Sequence, residues 1–352
     1  MTQPKYSTTP VAVWLYACAF AVLAMAVIGA VTRLTESGLS IVEWKPITGA
    51  LPPMDDASWT REFDLYKKSP QYIKVNAGMS LLEFKNIYFW EWLHRLWGRM
   101  IGLIYFVPFV YFWARGRLPR ESLPSFAGIL ALGFLQGFMG WYMVKSGLVD
   151  QPAVSHYRLA AHLILAWLIY AALLRTALRF SVRPSRDASA LSPLRGRVRG
   201  ALMMVVITMT WGAFVAGLRA GLLYNTFPTM NGHWFPPEMM AVTPVWKAFV
   251  AEPATVQFTH RVLAVLTLLK IFSVAFRARA FHLPARVQGL ITAVVVMALV
   301  QVALGISTLL LQVPVALAAT HQAGAFILTG LLVALLHDIP VMEWRKDVPD
   351  EL

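Results

Sequence analysis

Apolar residues in this chain are gathered into eight blocks, at about 11–32, 88–113, 123–144, 157–178, 200–219, 256–275, 286–311 and 315–337. Each is at or above the roughly 20 residues that carry a helix across the hydrocarbon layer of a bilayer. None shows the strict two-residue alternation of a half-buried strand, so the helix is the element expected in every block. The segments between them cannot lie in lipid, where an unpaired backbone group is costly by several kcal/mol. The expected fold is therefore an all-α membrane protein with eight transmembrane helices. A long polar segment, 33–85, separates the first two blocks, and a second long segment separates the fifth from the sixth.

Composition strengthens this picture. Of 352 residues, 58% are hydrophobic and 14% charged, too apolar for an ordinary soluble domain. A formal charge of +13 invites a nucleic-acid reading, but its placement opposes one. Three connections, within 114–122, 175–199 and 270–286, hold fourteen basic residues against two acids, Glu121 and Asp187, while segment 33–85 balances seven basic with seven acidic residues. By the positive-inside rule those three connections and both termini are cytoplasmic, with a secondary attraction to anionic lipid and no nucleic-acid partner. The first block is long enough to be a retained helix, and nothing before it resembles an Arg-rich transit peptide. A bacterial inner membrane fits best. Cys18 stands alone, which rules out an intramolecular disulfide or a thiolate cluster; packing is its expected role.

The chain repeats itself. A shift of 183 positions lays Gly29-Ala30 on Gly212-Ala213, Gly38-Leu39 on Gly221-Leu222 and Gly49 on Gly232; one further position lays Pro52-Pro53 on Pro236-Pro237. A shift of 166 lays His94-Arg95 on His260-Arg261. Gln136 precedes Gly140 by four residues as Gln301 precedes Gly305, and Ala160-Ala161-His162 resembles Ala319-Thr320-His321. Two pseudo-symmetric four-helix bundles in parallel orientation are expected, residues 1–178 and 200–352, joined by an Arg-, Ser- and Pro-rich cytoplasmic linker over 179–199.

Four histidines follow the repeat: His94, His162, His260 and His321, near the starts of alternate blocks and all on the outer side. An imidazole in a membrane helix faces the interior and carries function more often than not. No carboxylate or thiolate is duplicated beside them, which disfavours zinc. Two imidazoles facing across a bundle can instead hold a haem iron from both faces, His94 with His162 and His260 with His321. The structural alternative, a histidine hydrogen-bonded between helices, suits any one of them but not four in register. His233, His282 and His337 lack the pattern. So does His156, which has no counterpart in the second half although a ligand role stays open. Arg95 and Arg261 follow candidate ligands and suit haem propionates, or else snorkel to the interface. Three residues before His94 stands Glu91, while three before His260 stands Gln257. A carboxylate one turn from a ligand can relay protons or stabilise positive charge, so the first half reads as reactive and the second as a cofactor site. Glu91 could equally be an interfacial acid at a helix N-terminus.

The runs GAVTRLTESGLSIVEWKPITGALPP (29–53), EFKNIYFWEWLHRLWGRMIG (83–102) and GLLYNTFPTMNGHWFPP (221–237), with the repeated His-Arg sites, resemble the haem A synthases of alphaproteobacteria and mitochondria over about residues 11–338. The resemblance implies oxidation of the C8 methyl group of haem O to a formyl group, giving the haem A of cytochrome c oxidase. It implies haem b as cofactor on His260 and His321, haem O as substrate at His94 and His162, and a catalytic part for Glu91. Haem O synthase would be the source of the substrate, and a homo-oligomer is compatible with such a chain; the electron donor stays open. Some bacterial relatives carry a cysteine pair in the first outer loop, and segment 33–85 has none. Two other readings compete: a quinol-linked b-type electron carrier with two equivalent haems, and a haem-delivery protein without catalysis.

Overall fold

The computed structural model describes residues 9–45, 48–147, 153–182 and 191–339. Among them the chain is helical, without a strand; one isolated bridge links Met230 and His233. Eight helices are long: α1 (Thr9–Leu34), α4 (Leu81–Ala114), α5 (Leu123–Gly147), α6 (His156–Ser181), α7 (Ser192–Gly217), α9 (Pro253–Ala278), α10 (Ala285–Leu310) and α11 (Val315–Asp338). Three are short: α2 (Asp56–Lys67), α3 (Pro70–Lys74) and α8 (Ala248–Ala251). The long helices coincide with the eight apolar blocks. Seven of them are long and apolar enough to cross a membrane. The exception is α9, in which Gln257, Thr259, His260 and Arg261 crowd one end and Lys270 interrupts the other.

Helix α1 packs on α4, α6 and α11, while α6 also packs on α5 and α7. Helix α7 packs on α9 and α11, and α10 packs on α9 and α11. Helices α1, α6, α7 and α11 thus meet at the centre. Their contact is apolar around Leu15, Leu173, Leu194, Phe326 and Leu332, all essentially without exposure. Polar bonds cross it too: Trp167 Nε1 donates to Thr329 Oγ1 at 2.8 Å, and Gln322 Nε2 to Ala26 O at 2.6 Å. The outward faces are apolar as well, as Phe106, Val107, Val110 and Trp113 of α4 illustrate. Apolar side chains on both the inner and outer faces are what a lipid surround requires. Helices α6 and α7 extend into the linker expected over 179–199; its middle, 183–190, lies outside the described residues.

The described residues of segment 33–85 are folded, which its balanced charges do not announce. Asp55 caps α2 by accepting from Ser58 N at 2.8 Å, and Ser69 caps α3 ahead of Pro70 at N1. Ser80 and Glu83 make a reciprocal capping box that starts α4 seven residues before the apolar block. Those added turns pack against the loop rather than lipid. Phe84 and Tyr88 close a small core with Ile41, Phe63 and Tyr66.

The ends of α1 and α7 meet. Arg33 Nη2 donates to the terminal carbonyls of α7, Ala216 O at 3.1 Å and Gly217 O at 3.2 Å. Just beyond each helix a residue takes a left-handed conformation, Glu36 at φ 57° and Arg219 at φ 53°. These are equivalent positions of the repeat, and they form an ion pair at 2.6 Å.

Candidate functional site

Each of the four candidate histidines is partly exposed and rests on a glycine of a neighbouring helix. A methyl carbon on Gly29 of α1 would lie 3.0 Å from His94 Cε1, and one on Gly212 of α7 would lie 3.1 Å from His260 Cε1. On Gly140 of α5 and Gly305 of α10 the distances to His162 and His321 Cε1 are 3.4 and 2.9 Å. Glycine is therefore what lets each ring lie against the adjacent backbone. The pairing is the same in both halves: α1 and α5 carry the glycines and α4 and α6 the histidines of the first, α7 and α10 against α9 and α11 in the second.

Three of the four lie six or seven residues into their helices; His94 lies thirteen into α4, because the capping box lengthens that helix outward. Nδ1 of His94, His162 and His321 is buried without a protein partner. Nδ1 of His260 donates to Thr208 O at 3.0 Å, which fixes the tautomer with its lone pair on Nε2. No cluster of three or more His, Cys, Asp or Glu side chains suited to a metal ion occurs among the described residues. Each half thus presents two imidazoles set against glycine backbone and no further metal-binding side chain, so a metal there would need its remaining ligands from a bound group such as a macrocycle.

Glu91 is 3% exposed. Its Oε2 accepts from Ser40 Oγ and Ile41 N, both at 2.7 Å, and its Oε1 pairs with Arg95 Nη2 at 2.7 Å. Gln257, also 3% exposed, accepts from Arg261 Nη2 at 2.7 Å through Oε1 and donates to Ala220 O at 2.7 Å and Leu223 O at 2.5 Å. The arginines repeat position by position. Arg95 Nη2 donates to Ile41 O at 2.9 Å and Nη1 to Glu43 O at 3.2 Å; Arg261 Nη2 donates to Tyr224 O at 2.7 Å and Nη1 to Thr226 O at 2.9 Å. Each arginine thus fastens a loop to the turn that carries the histidine, and its Nε is buried without a partner. A snorkelling side chain would reach water, but that of Arg95 is only 12% exposed. Spacing alone could not reveal these loop bonds, since their partners are carbonyls some fifty residues away in the first half.

His156 Nε2 bonds Val250 O at 2.9 Å, and its ring packs on Phe214, joining α6 to the second half. His337 Nε2 bonds Val182 O. Trp92 and Trp97 donate to Ala50 O and Ala21 O, and a methyl carbon on Gly98 would lie 3.3 Å from Met25 Cε, so that glycine serves helix packing. Nothing in the sequence pointed to Thr208 or Ser40; Gly29/Gly212 and Gly140/Gly305 were visible in the repeat, and of these Gly140 alone suggested a place of close approach, with helix packing the preferred purpose.

The chain is similar to curated proteins along most of its length. A heme A synthase of Rhodospirillum centenum is 53% identical over 93% of this chain and 87% of that protein. One of Nitrosospira multiformis is 49% identical over 96% of both. Heme A synthase COX15 of Arabidopsis thaliana is 44% identical over 96% of this chain and 77% of its own. With the COX15-CtaA model, described as cytochrome oxidase assembly protein, matching residues 12–333, the chain belongs to that family of assembly proteins.

Proposed function

We propose that this chain is a haem A synthase, an oxidoreductase that converts the C8 methyl group of haem O to a formyl group. The observation that carries the proposal is the doubled histidine-on-glycine arrangement, in which Glu91 of one copy is replaced by Gln257 of the other. The eight long helices form two pseudo-symmetric four-helix bundles, 1–178 and 200–352. Helix α9 is the eighth span, its polar end sheltered by the loop that Arg261 fastens. The membrane is the bacterial inner membrane, with the basic connections and both termini cytoplasmic and both sites toward the periplasm.

In this reading His260 and His321 hold haem b, and His94 and His162 hold the substrate. A haem b held there would supply a redox-active iron for electron transfer in a reaction whose substrate passes from methyl through alcohol to aldehyde. The chain's own part is positional and electrostatic. Thr208 O holds His260 in the ligating tautomer, and the glycines set how far each ring stands from the bundle axis. Glu91, one turn from His94 and held by three donors, is placed where a carboxylate stabilises developing positive charge or accepts a proton from the substrate. The Nε–H groups of Arg95 and Arg261 remain for propionates.

Acid extraction and mass analysis of haems from protein made in a host that produces haem O should yield haem b together with haem O, an oxidised derivative or haem A. Two equivalents of haem b and no haem O derivative would instead identify a b-type electron carrier; haem O bound but never oxidised would identify a delivery protein. The glycines give a second test. Gly305→Ala forces the His321 ring aside and should lower haem b content several-fold by pyridine haemochrome, whereas Gly289→Ala on the same helix, with open space around it, should not.

A further inference from the structure

The two halves treat their second histidine differently. Gln136 Nε2 lies 3.2 Å from His162 Nε2. An amide N–H can only donate, so His162 Nε2 accepts through its ring lone pair, and the proton sits on Nδ1, which has no partner. The repeat places Gln301 at the corresponding position of α10, yet Gln301 Nε2 donates to the main-chain oxygen of His321 at 2.7 Å and leaves the ring alone. The glycines differ in the same sense: Gly305 would hold a methyl 2.9 Å from His321, Gly140 one 3.4 Å from His162, so the first ring has more room to move.

A nitrogen lone pair serves one partner. An iron bound at His162 Nε2 must displace the Gln136 N–H, whereas an iron bound at His321 displaces nothing of the kind. Resting on the reading of His162 as a substrate-haem ligand, we propose that Gln136 competes with haem iron for His162 and so makes the first site an exchanging one, while Gln301, turned to the backbone, lets the second site retain its haem. The chemistry of the reaction gives this sense. Haem O must enter and haem A must leave on every turnover, and a bis-imidazole site without a competitor would hold the product. Gln136 acts through His162 and is a positioning residue.

The test is the rate at which haem leaves the full-length protein, followed optically as an excess of apomyoglobin captures it. Gln136→Leu removes the competing donor and should slow release of haem O and haem A by roughly fivefold, the worth of one net neutral hydrogen bond. Purified Q136L should accordingly carry more haem A than wild type, with KM and kcat for haem O both lowered. Gln301→Leu should bring no such gain for haem b. Gln136→Met, of similar length and also without a donor, gives the same readout if the leucine variant does not fold. Release from Q136L or Q136M that is unchanged or faster would overturn the proposal, since it would make Gln136 a support of the ligand rather than its competitor. His162→Ala distinguishes the two levels of argument. If that variant releases substrate haem at the wild-type rate, His162 is no ligand, and the underlying site reading falls with the competition built on it.

Discussion

Alanine at His260 or His321 should empty the second site of haem b and abolish haem A formation, whereas alanine at His94 or His162 should abolish haem A formation with haem b still bound. The reasoning is spatial. His94 and His162 belong to α4 and α6 of the first half, and His260 and His321 to α9 and α11 of the second. Each ring also rests on a glycine of its own half. Loss of one imidazole therefore leaves the other pair's packing untouched. The effect is large because the substrate has to be held with one methyl in a fixed place, and loss of such positioning alone removes orders of magnitude in rate. Haemochrome spectra and mass analysis of extracted haems from the four variants, side by side, check it. Equal loss of haem b from all four would show that the two sites are not independent.

Glu91→Gln is the second large effect, and the molecule contains its own control. Gln257 shows that glutamine at this place still accepts from the arginine one turn on, at 2.7 Å, so Arg95 should keep its partner and α4 its fold. The variant forfeits the bond from Ile41 N, whose buried donor then lacks an acceptor at a cost of about 1–3 kcal/mol. What disappears completely is the negative charge. Haem A formation should fall on the order of a hundredfold or more, the typical contribution of a positioned acid or base, while bound haem b and haem O stay near wild-type amounts. Activity within a few-fold of wild type would reduce Glu91 to a fastener of the loop between α1 and α2. Glu91→Ala is the poorer experiment, because it strands Arg95 in a site where the side chain is 12% exposed.

The positions of the long helices were legible in the chain because a membrane imposes a length and an apolarity that composition displays directly. The same rule is blind where function intrudes: α9 carries Gln257, His260 and Arg261 in one turn and a half and loses the apolar signature for that reason. It also misjudges the start of α4, where Phe84 and Tyr88 are buried by α2 and the folded loop instead of by lipid. The four histidines and the Glu91/Gln257 contrast were legible because duplication offers each position a partner for comparison. What the repeat could not disclose was which backbone oxygen each polar group meets. The loop bonds of Arg95 and Arg261, the Thr208 carbonyl at His260, and the different bonds of Gln136 and Gln301 depend on distances that no spacing rule encodes.

The pairing of Glu36 with Arg219 has a bearing on history. In a homodimer with a two-fold axis, a residue facing its own copy is identical to it, and a charged residue there meets a like charge. Glu36 and Arg219 are copies of one position, both left-handed, and they face each other at 2.6 Å with opposite charge. Two separate but identical subunits could never make this contact. It became accessible only once the two copies could mutate independently, so this ion pair arose after the duplication that made them.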